Sequence, residues 1–562
     1  MRVSLSLALS LLLLLPAVGG CSRDPEPASA PAAPAGRLNP YLRLVPADTP
    51  YFLITEERPS LDVMLAHLAR QHFDKHALLL EVDPEAEGLS DEERSARAAV
   101  RRIFELLPER LDQAALAELG LRPDAHLAFY GVDLLPAFRL ELADRDRFLA
   151  FLDRLWQALE LAPERGEREG RLWLRVPTGP LTIHLTLGSD LHFALAPSEI
   201  EESDLARMLG ETPPAQSLAD TTLLAELKAR HGFQPIQLGR LSSSGILEAL
   251  RKNGSSAPGG EPTMLAKPEC AEEFAALGRR FPGLEFGFRS FTRDQLELGF
   301  VFLLEPNLPQ SLTPLVPKLP PPGTSALAEV GFGLRLAEVP ALLSAWAQAL
   351  EQAPYRCDAL LTLNDLSKGF KEAAANPALG IASMTGEGVL VSLERLDLDR
   401  EPKYDFEASV LLVSENPTSV LALAGSFAPD LNLLGLVPGG EAKPLPAGML
   451  MAPVERGFAA LGERVIAFGL NHRDGRRVEA AVKQLPQAAG VILHLGWRGE
   501  LLRMLAEFIE KQSGDSTEAR TLVRQLRDMG GDLDRMSLDL RIKPVGIEYN
   551  LKASFIPLPA AR

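Results

Sequence analysis

The stretch that decides the fold is MSLDLRIKPVGIEYNLKASF, residues 536–555. Leu538 and Leu540 alternate with Asp539 and Arg541, which is the period-two pattern of a strand with one apolar face and one wet face. A short turn then leads to a second strand of similar length. Because long alternating strands joined by short turns favour antiparallel pairing, this stretch predicts a hairpin and an α+β fold rather than a parallel sheet.

A similar order of segments occurs twice along the chain. Residues 236–251, IQLGRLSSSGILEALR, and residues 492–510, ILHLGWRGELLRMLAEFIE, are both typical of a strand, a turn and a helix, and Gly245 matches Gly499. A hairpin predicted at 284–303 closes the first series as 536–555 closes the second. Any α+β chain contains some segments that resemble one another by chance, but the shared order of six segments favours an internal duplication.

The repeat predicts two α+β domains, residues 41–305 and 306–562, each a curved antiparallel sheet with helices packed on one face. The chain of 562 residues is long enough for two domains, and its 46% hydrophobic and 24% charged residues are typical of a globular protein. Within the first domain, Asp144 is predicted to cap a helix whose apolar positions recur at helical spacing up to Leu159.

The start of the chain predicts where the protein is located in the cell. Arg2 precedes the apolar run Leu5–Leu15, which is shorter than the roughly 20 residues of a membrane-spanning helix. VGGC, residues 18–21, resembles a bacterial lipobox, so residues 1–20 are predicted to be a lipoprotein signal peptide and Cys21 the lipid-bearing residue. The alternatives are an ordinary secretory signal cleaved after Gly20 or an uncleaved short anchor.

Residues 21–40 are predicted to be the lipidated cysteine and a Pro/Ala-rich tether. With the lipobox, LVPADTP at 44–50 resembles the opening of an uncharacterised family of bacterial exported lipoproteins, and the likeness continues through LELAD at 140–144. The resemblance implies export and a shared fold, without an activity or a site. By resemblance to proteobacterial sorting, Ser22 predicts a lipid anchor in the outer membrane, facing the periplasm.

The net charge of −17 argues against partners that carry phosphate. Such an acidic body repels nucleic acid and broad anionic membrane surfaces, and the chain has no Lys/Arg-rich tract with interleaved aromatic residues. We therefore expect contact with a membrane through the Cys21 lipid and no binding of nucleic acid.

Cys270 and Cys357 are predicted to form a disulfide, because an exported protein folds in an oxidising compartment. The bond would tie the two predicted domains together. The alternative is a pair of buried free thiols, whereas a redox-active role is disfavoured because there is no Cys-x-x-Cys pair.

Residues that could take part in catalysis or metal binding form only weak patterns. His72 and His76 are four residues apart and lie near His67, a spacing that suits metal ligands on a helix, although such histidines are more often a solvated face. Ser242–Ser244 occupy a strand-to-helix turn but lack the Gly-x-Ser-x-Gly pattern, so we expect them to cap the helix. Neither a metal, a cofactor nor a set of ligand-binding residues is predicted.

Two classes of function agree with these observations. The first is a non-catalytic cell-envelope lipoprotein that binds a protein partner or acts as a scaffold in the periplasm. The second is a carrier or sensor of an apolar ligand such as a lipid, since sheets covered by helices can enclose a groove. A hydrolase is a distant third, and we do not expect an enzyme.

Overall fold

The structure is a computed structural model. It describes residues 38–557 apart from 71–81, 85–87, 110–111, 254–264, 266, 318, 321–322, 324, 378, 380–386, 399–404, 451, 484–489 and 513–515. The predicted signal peptide and Cys21 therefore lie outside the described residues. The described residues form an α+β fold with antiparallel strand pairing, which confirms these two parts of the predicted fold class.

The chain forms two compact units. The first contains the chain up to Leu250, with Leu284–Gly299 and the residues from Ser554 onward, and the second contains Arg251–Gly283 and Phe300–Ala553. Each unit is thus built from separate stretches of chain, whereas the sequence predicted one boundary between residues 305 and 306.

In the first unit the strands pair in the order β8–β1–β2–β3–β7–β6–β5–β4, and every neighbouring pair is antiparallel. Phe52 on β1, for example, lies opposite both Tyr130 on β2 and Arg240 on β8. The strands of this unit are β1 (Tyr51–Ile54), β2 (Leu127–Val132), β3 (Leu135–Glu141), β4 (Glu164–Arg168), β5 (Arg171–Pro177), β6 (Leu181–Leu187), β7 (Asp190–Pro197), β8 (Leu238–Ser242) and β9 (Gly283–Thr292).

The helices of the first unit bury a large apolar core against this sheet. They are α1 (Leu61–Arg70), α2 (Asp91–Leu106), α3 (Gln113–Glu118), α4 (Arg145–Ala158), α5 (Glu202–Leu209), α6 (Leu223–His231) and α7 (Ser243–Asn253), which begins in this unit. Asp144 caps α4 as predicted, because its carboxylate accepts hydrogen bonds from the amides of Asp146 and Arg147 at 3.0 and 3.1 Å. Phe148 and Phe151 of α4 then pack with Phe104 of α2 in the core.

In the second unit the strands pair in the order β18–β17–β11–β12–β13–β16–β15–β14, again antiparallel throughout. From β17 to β14 this order corresponds, strand by strand, to β8–β1–β2–β3–β7–β6–β5 of the first unit. The strands here are β11 (Ala328–Gly333), β12 (Gly388–Asp397), β13 (Asp405–Val413), β14 (Lys443–Pro444), β15 (Gly457–Leu461), β16 (Val465–Leu470), β17 (Val491–Arg498) and β18 (Leu533–Lys543), while β10 (Gln295–Leu303) and β19 (Gly546–Phe555) contain residues of both units.

Helices lie against both faces of the second sheet at β13. Leu411 packs with Val478 of α14, whereas the next residue, Leu412, faces the cluster that contains Val420 of α12. The prediction that helices cover a single face therefore fails here, because both faces of β13 are apolar. The helices are α8 (Pro268–Arg280), α9 (Asn307–Leu312), α10 (Val339–Gln352), α11 (Leu366–Ala374), α12 (Pro417–Phe427), α13 (Asp430–Leu433), α14 (Arg476–Lys483), α15 (Gly499–Gln512) and α16 (Thr517–Asp532).

The glycine that is matched in the two sequence repeats lies where the backbone of another segment approaches it closely. A Cβ atom at Gly499 would lie 1.9 Å from the carbonyl oxygen of Leu533, and one at Gly245 would lie 3.0 Å from the Cα atom of Pro50. A side chain at Gly499 would push α15 away from the start of β18. This close approach explains why glycine stands at the strand-to-helix turn.

Gly499→Ala should lower the free energy of unfolding by about 1 to 3 kcal/mol, because the added methyl group overlaps a backbone carbonyl. Urea denaturation measures the change. Gly531→Ala in α16 is the matched control: its Cβ atom would meet nothing within 4 Å, so we expect no loss and a gain of up to about 1 kcal/mol from helix propensity. Equal effects of the two substitutions would contradict the packing explanation.

Candidate functional site

An apolar groove of about 850 Å³ lies within the second unit. Its walls are formed by α8, by α10 and by the segment that leads from α10 into α11. Aromatic and aliphatic side chains dominate the lining, which also contains four charged residues. The lining consists of Glu273, Ala276, Leu277, Arg280, Phe281, Glu305, Leu308, Trp346, Ala349, Leu350, Ala353, Pro354, Tyr355, Arg356, Leu363, Leu366 and Phe370.

A disulfide between Cys270 and Cys357 fixes one wall of the groove, as the sequence predicted for these two cysteines. Cys270 lies in the first turns of α8 and Cys357 follows α10, and both sulfur-bearing residues are buried with Leu360. Both cysteines belong to the second unit, so the bond braces one unit instead of tying two halves together. The prediction of its role was wrong because α8, which precedes residue 306, packs in the second unit.

Glu273 reinforces the same wall. Its carboxylate accepts hydrogen bonds from the backbone amides of Arg356 and Cys357 at 2.8 and 3.0 Å. Desolvation acts to raise the pKa of Glu273, but these amides and the Arg356 guanidinium outweigh it and hold the pKa below its usual value. The carboxylate is therefore ionised, and it holds the segment after α10 against α8.

The opposite wall is a pair of helices joined through aromatic rings. Trp346 of α10 and Phe370 of α11 lie with their ring centroids 5.8 Å apart, and both rings line the groove. In α10, Ala347 is the residue that is fully buried, while Trp346 and Leu350 are only half-buried. The apolar side chains of this helix therefore line an open space instead of a closed core.

Two charged residues that line the groove have no side-chain partner among the described residues. Arg280, at the end of α8, and Glu305 line the groove, and neither side chain forms an ion pair or a hydrogen bond in the described part of the chain. The backbone joins them, because the amide of Glu305 donates to the carbonyl of Arg280 at 2.9 Å. Their charged groups remain available to the polar end of a ligand.

No protein-family model, curated protein or solved structure matches this chain. The resemblance to exported lipoproteins accordingly stays a prediction. None of the described helices is long and apolar enough to cross a membrane. The chemistry of the site must therefore be inferred from its own residues.

A second cluster, of buried charges, lies on the sheet of the second unit. His494 on β17 contacts Asp539 on β18 through Nδ1 at 2.7 Å, and its Nε2 lies 3.8 Å from Glu329 on β11. Arg535 contacts Glu329, and Arg541 contacts Asp539. The sequence pattern placed Asp539 on a wet face, but this residue is buried because it pairs with His494.

The protonation of His494 limits what this cluster can do. Burial acts to lower the pKa of His494, but the hydrogen bond to Asp539 and the carboxylate of Glu329 outweigh it and raise the pKa to about 9. The imidazole is thus already protonated at neutral pH, so it has no lone pair with which to act as a general base. The cluster is suited to holding three strands together.

The first of the three closely spaced histidines, His67, has a structural role. His67 of α1 stacks on Phe291 at 4.7 Å between ring centroids, and its Nε2 lies 2.7 Å from the carbonyl oxygen of Thr292. Burial lowers the pKa of His67, which favours the neutral ring. His72 and His76 lie outside the described residues, and within those described, no group of three or more His, Cys, Asp or Glu residues is placed to hold a metal ion.

Arg70, in the same helix as His67, binds α1 to Asp294 and to residues 555–556. Its guanidinium contacts Asp294 at 2.8 Å and the carbonyl oxygen of Ile556 at 3.2 Å, and it lies 4.8 Å from the ring centroid of Phe555. All of these residues belong to the first unit. Helix α1 is therefore held by a residue between β9 and β10 and by the end of β19 with the residue that follows it.

The serines of the strand-to-helix turn are placed as helix caps. The Ser242 hydroxyl accepts a hydrogen bond from the amide of Gly245 at 3.2 Å and lies 3.2 Å from the hydroxyl of Ser244. This arrangement satisfies one of the free amides at the start of α7, as predicted.

Proposed function

We propose that this protein is a non-catalytic, lipid-anchored protein of the bacterial envelope that carries or senses an apolar ligand in the groove of its second unit. Cys21 is the proposed lipid-bearing residue, and the outer membrane facing the periplasm is the proposed location. The observation that carries the proposal is the groove itself. Its volume of about 850 Å³ and its mainly apolar lining agree with the size and chemistry of known small-molecule sites.

The mainly apolar lining of the groove suits a flexible chain of methylene groups. Rings of Trp346, Phe370 and Phe281 line it, and each methylene group of a ligand buried against them would contribute about 0.8 kcal/mol. Arg280 and Glu305 would lie near the polar end of such a ligand. A lipid acyl chain with a charged head group satisfies both requirements.

The sheets of the two units differ in how much apolar surface they leave exposed. We infer that they arose by the proposed duplication, which the shared order of strand pairing supports. On β1 and β2 of the first unit, Leu53 and Phe129 pack against its core. On the corresponding strands β11 and β12, Val330, Phe332 and Val391 are 40 to 49% exposed. The second unit therefore presents apolar surface where the first unit is closed.

The proposal is tested by filling the groove. Ala349 is an exposed alanine in its lining, and Ala349→Trp would place an indole ring inside the groove without disturbing a packed core. We expect this change to weaken the binding of palmitate at least tenfold. Equilibrium dialysis with radiolabelled palmitate measures the effect, in a chain that also carries Cys21→Ala so that covalent lipid does not contribute.

Ala345→Trp is the matched control, because Ala345 is an exposed alanine of the same helix that does not line the groove. This variant should bind palmitate as the parent chain does. Native mass spectrometry of the parent chain should also detect lipid that purifies with it. Clean protein that binds no palmitate would overturn the carrier proposal and favour the binding of a protein partner.

A further inference from the structure

Three strongly exposed apolar side chains occur within eleven consecutive residues of the second unit, 427–437. Phe427 at the end of α12 is 83% exposed, Leu433 at the end of α13 is 81% exposed, and Val437 in the following turn is 61% exposed. Single apolar residues are ordinary on protein surfaces, but three within such a short stretch form a patch. We call residues 427–437 the apolar tip.

The backbone of the apolar tip is held in place by contacts with buried residues of the second unit. Leu431 is buried, and Leu436 packs against the cluster of Val420, Leu461 and Ile466. The amide of Gly439 also donates to the carbonyl of Leu461 at 2.8 Å. Because Leu431 and Leu436 are anchored inward, the backbone that carries the exposed side chains is held in place.

The apolar tip carries almost no charge. Between residues 426 and 440, Asp430 is the one charged residue, and the segment contains neither lysine nor arginine. In a chain with a net charge of −17, this stretch is therefore a nearly neutral surface with a single carboxylate. Such a surface has nothing with which to attract anionic lipid head groups or acidic proteins.

The small exposed area of the apolar tip favours binding to a lipid surface over binding to a protein partner. Its three exposed side chains offer roughly 400 Å², about half of the roughly 800 Å² that each partner buries in a standard protein interface. A lipid surface needs no such area and no complementary shape, because apolar side chains insert individually among the head groups and acyl chains. We propose that the apolar tip docks on the surface of a bilayer with zwitterionic head groups.

Vesicle binding tests this proposal independently of the groove. A chain carrying Cys21→Ala should float with phosphatidylcholine vesicles, and the triple change Phe427→Ser, Leu433→Ser and Val437→Ser should lower the partition coefficient at least tenfold. Replacing part of the phosphatidylcholine by phosphatidylglycerol should weaken binding, because Asp430 and the net charge are repelled. The triple variant should unfold at the same urea concentration as the parent, since these side chains are exposed.

The matched control removes three exposed apolar side chains from elsewhere, at Leu38, Leu522 and Met529, which are 63, 45 and 53% exposed. Serine at these three positions should leave vesicle binding unchanged. In a direct readout, the fluorescence of a tryptophan introduced by Phe427→Trp should be quenched by brominated phosphatidylcholine. The fluorescence of a tryptophan introduced by Leu522→Trp should not be quenched. Unchanged partition of the triple tip variant, or a dimer in sedimentation that depends on the tip, would overturn the proposal.

Discussion

Replacing Cys270 and Cys357 by serine should lower the free energy of unfolding of the second unit by about 4 to 5 kcal/mol. The bond joins residues separated by 87 positions, and closing so long a loop removes much of the conformational entropy of the unfolded chain. Urea denaturation followed by fluorescence measures the loss. With Trp156 and Trp173 changed to phenylalanine, Trp346 and Trp497 report on the second unit alone.

Reduction provides the control for this experiment. Dithiothreitol should shift the unfolding midpoint of the parent chain to that of the double-serine variant and should leave the variant itself unchanged. Palmitate binding should weaken in parallel, because α8 and the segment after α10 are the walls that the bond joins. Identical midpoints for the oxidised parent and the double-serine variant would refute a stabilising role.

The charge of His494 should make the stability of the second unit depend on pH. Its pKa is about 9 in the folded protein and 6.5 as its ordinary value, so folding favours the protonated ring. The stabilisation is fully present below pH 6.5 and is lost as the pH rises towards 9, by up to about 3 kcal/mol. The difference in free energy of unfolding between the parent and a His494→Gln variant, measured across this range, isolates the contribution.

His184 of the first unit supplies a control with the opposite shift. Burial, with the charges of Arg175 and Arg168, lowers the pKa of His184 to about 4. Its contribution changes only as the pH falls from 6.5 towards 4, so His184→Gln should leave the dependence between pH 6.5 and 9 intact. If the difference between the parent and His494→Gln were constant over that range, the proposed charge network would be wrong.

Local patterns predicted the elements of this fold well. The alternation at 536–555 predicted two strands that the structure contains as β18 and β19, and Asp144 predicted the first turn of α4. Both signals arise from residues a few positions apart, which is the range over which strand pleating and helix capping act. The matched glycines were also visible, although the carbonyl that excludes a side chain at Gly499 comes from residue 533.

The candidate site could not be predicted in the same way. Leu277 and Trp346 line a groove, yet in the sequence they look the same as apolar residues that fill a core. Asp539 looked like a solvated residue because its partner His494 lies 45 positions away and carried no local signal. The two cysteines could be paired because the chain offers no other partner after Cys21, but the pairing did not reveal which unit contains α8.

The contact between Arg70 and Ile556 affects when the first unit can finish folding. The two residues are separated by 486 positions, so α1 gains this contact much later in synthesis than its contacts with Phe291 and Asp294. Chains usually fold domain by domain from the amino terminus, but here a helix at residues 61–70 completes its contacts only when residue 556 has been made. A chain that stops before residue 556 would leave Arg70 without this contact, which couples completion of the first unit to synthesis of the segment that follows β19.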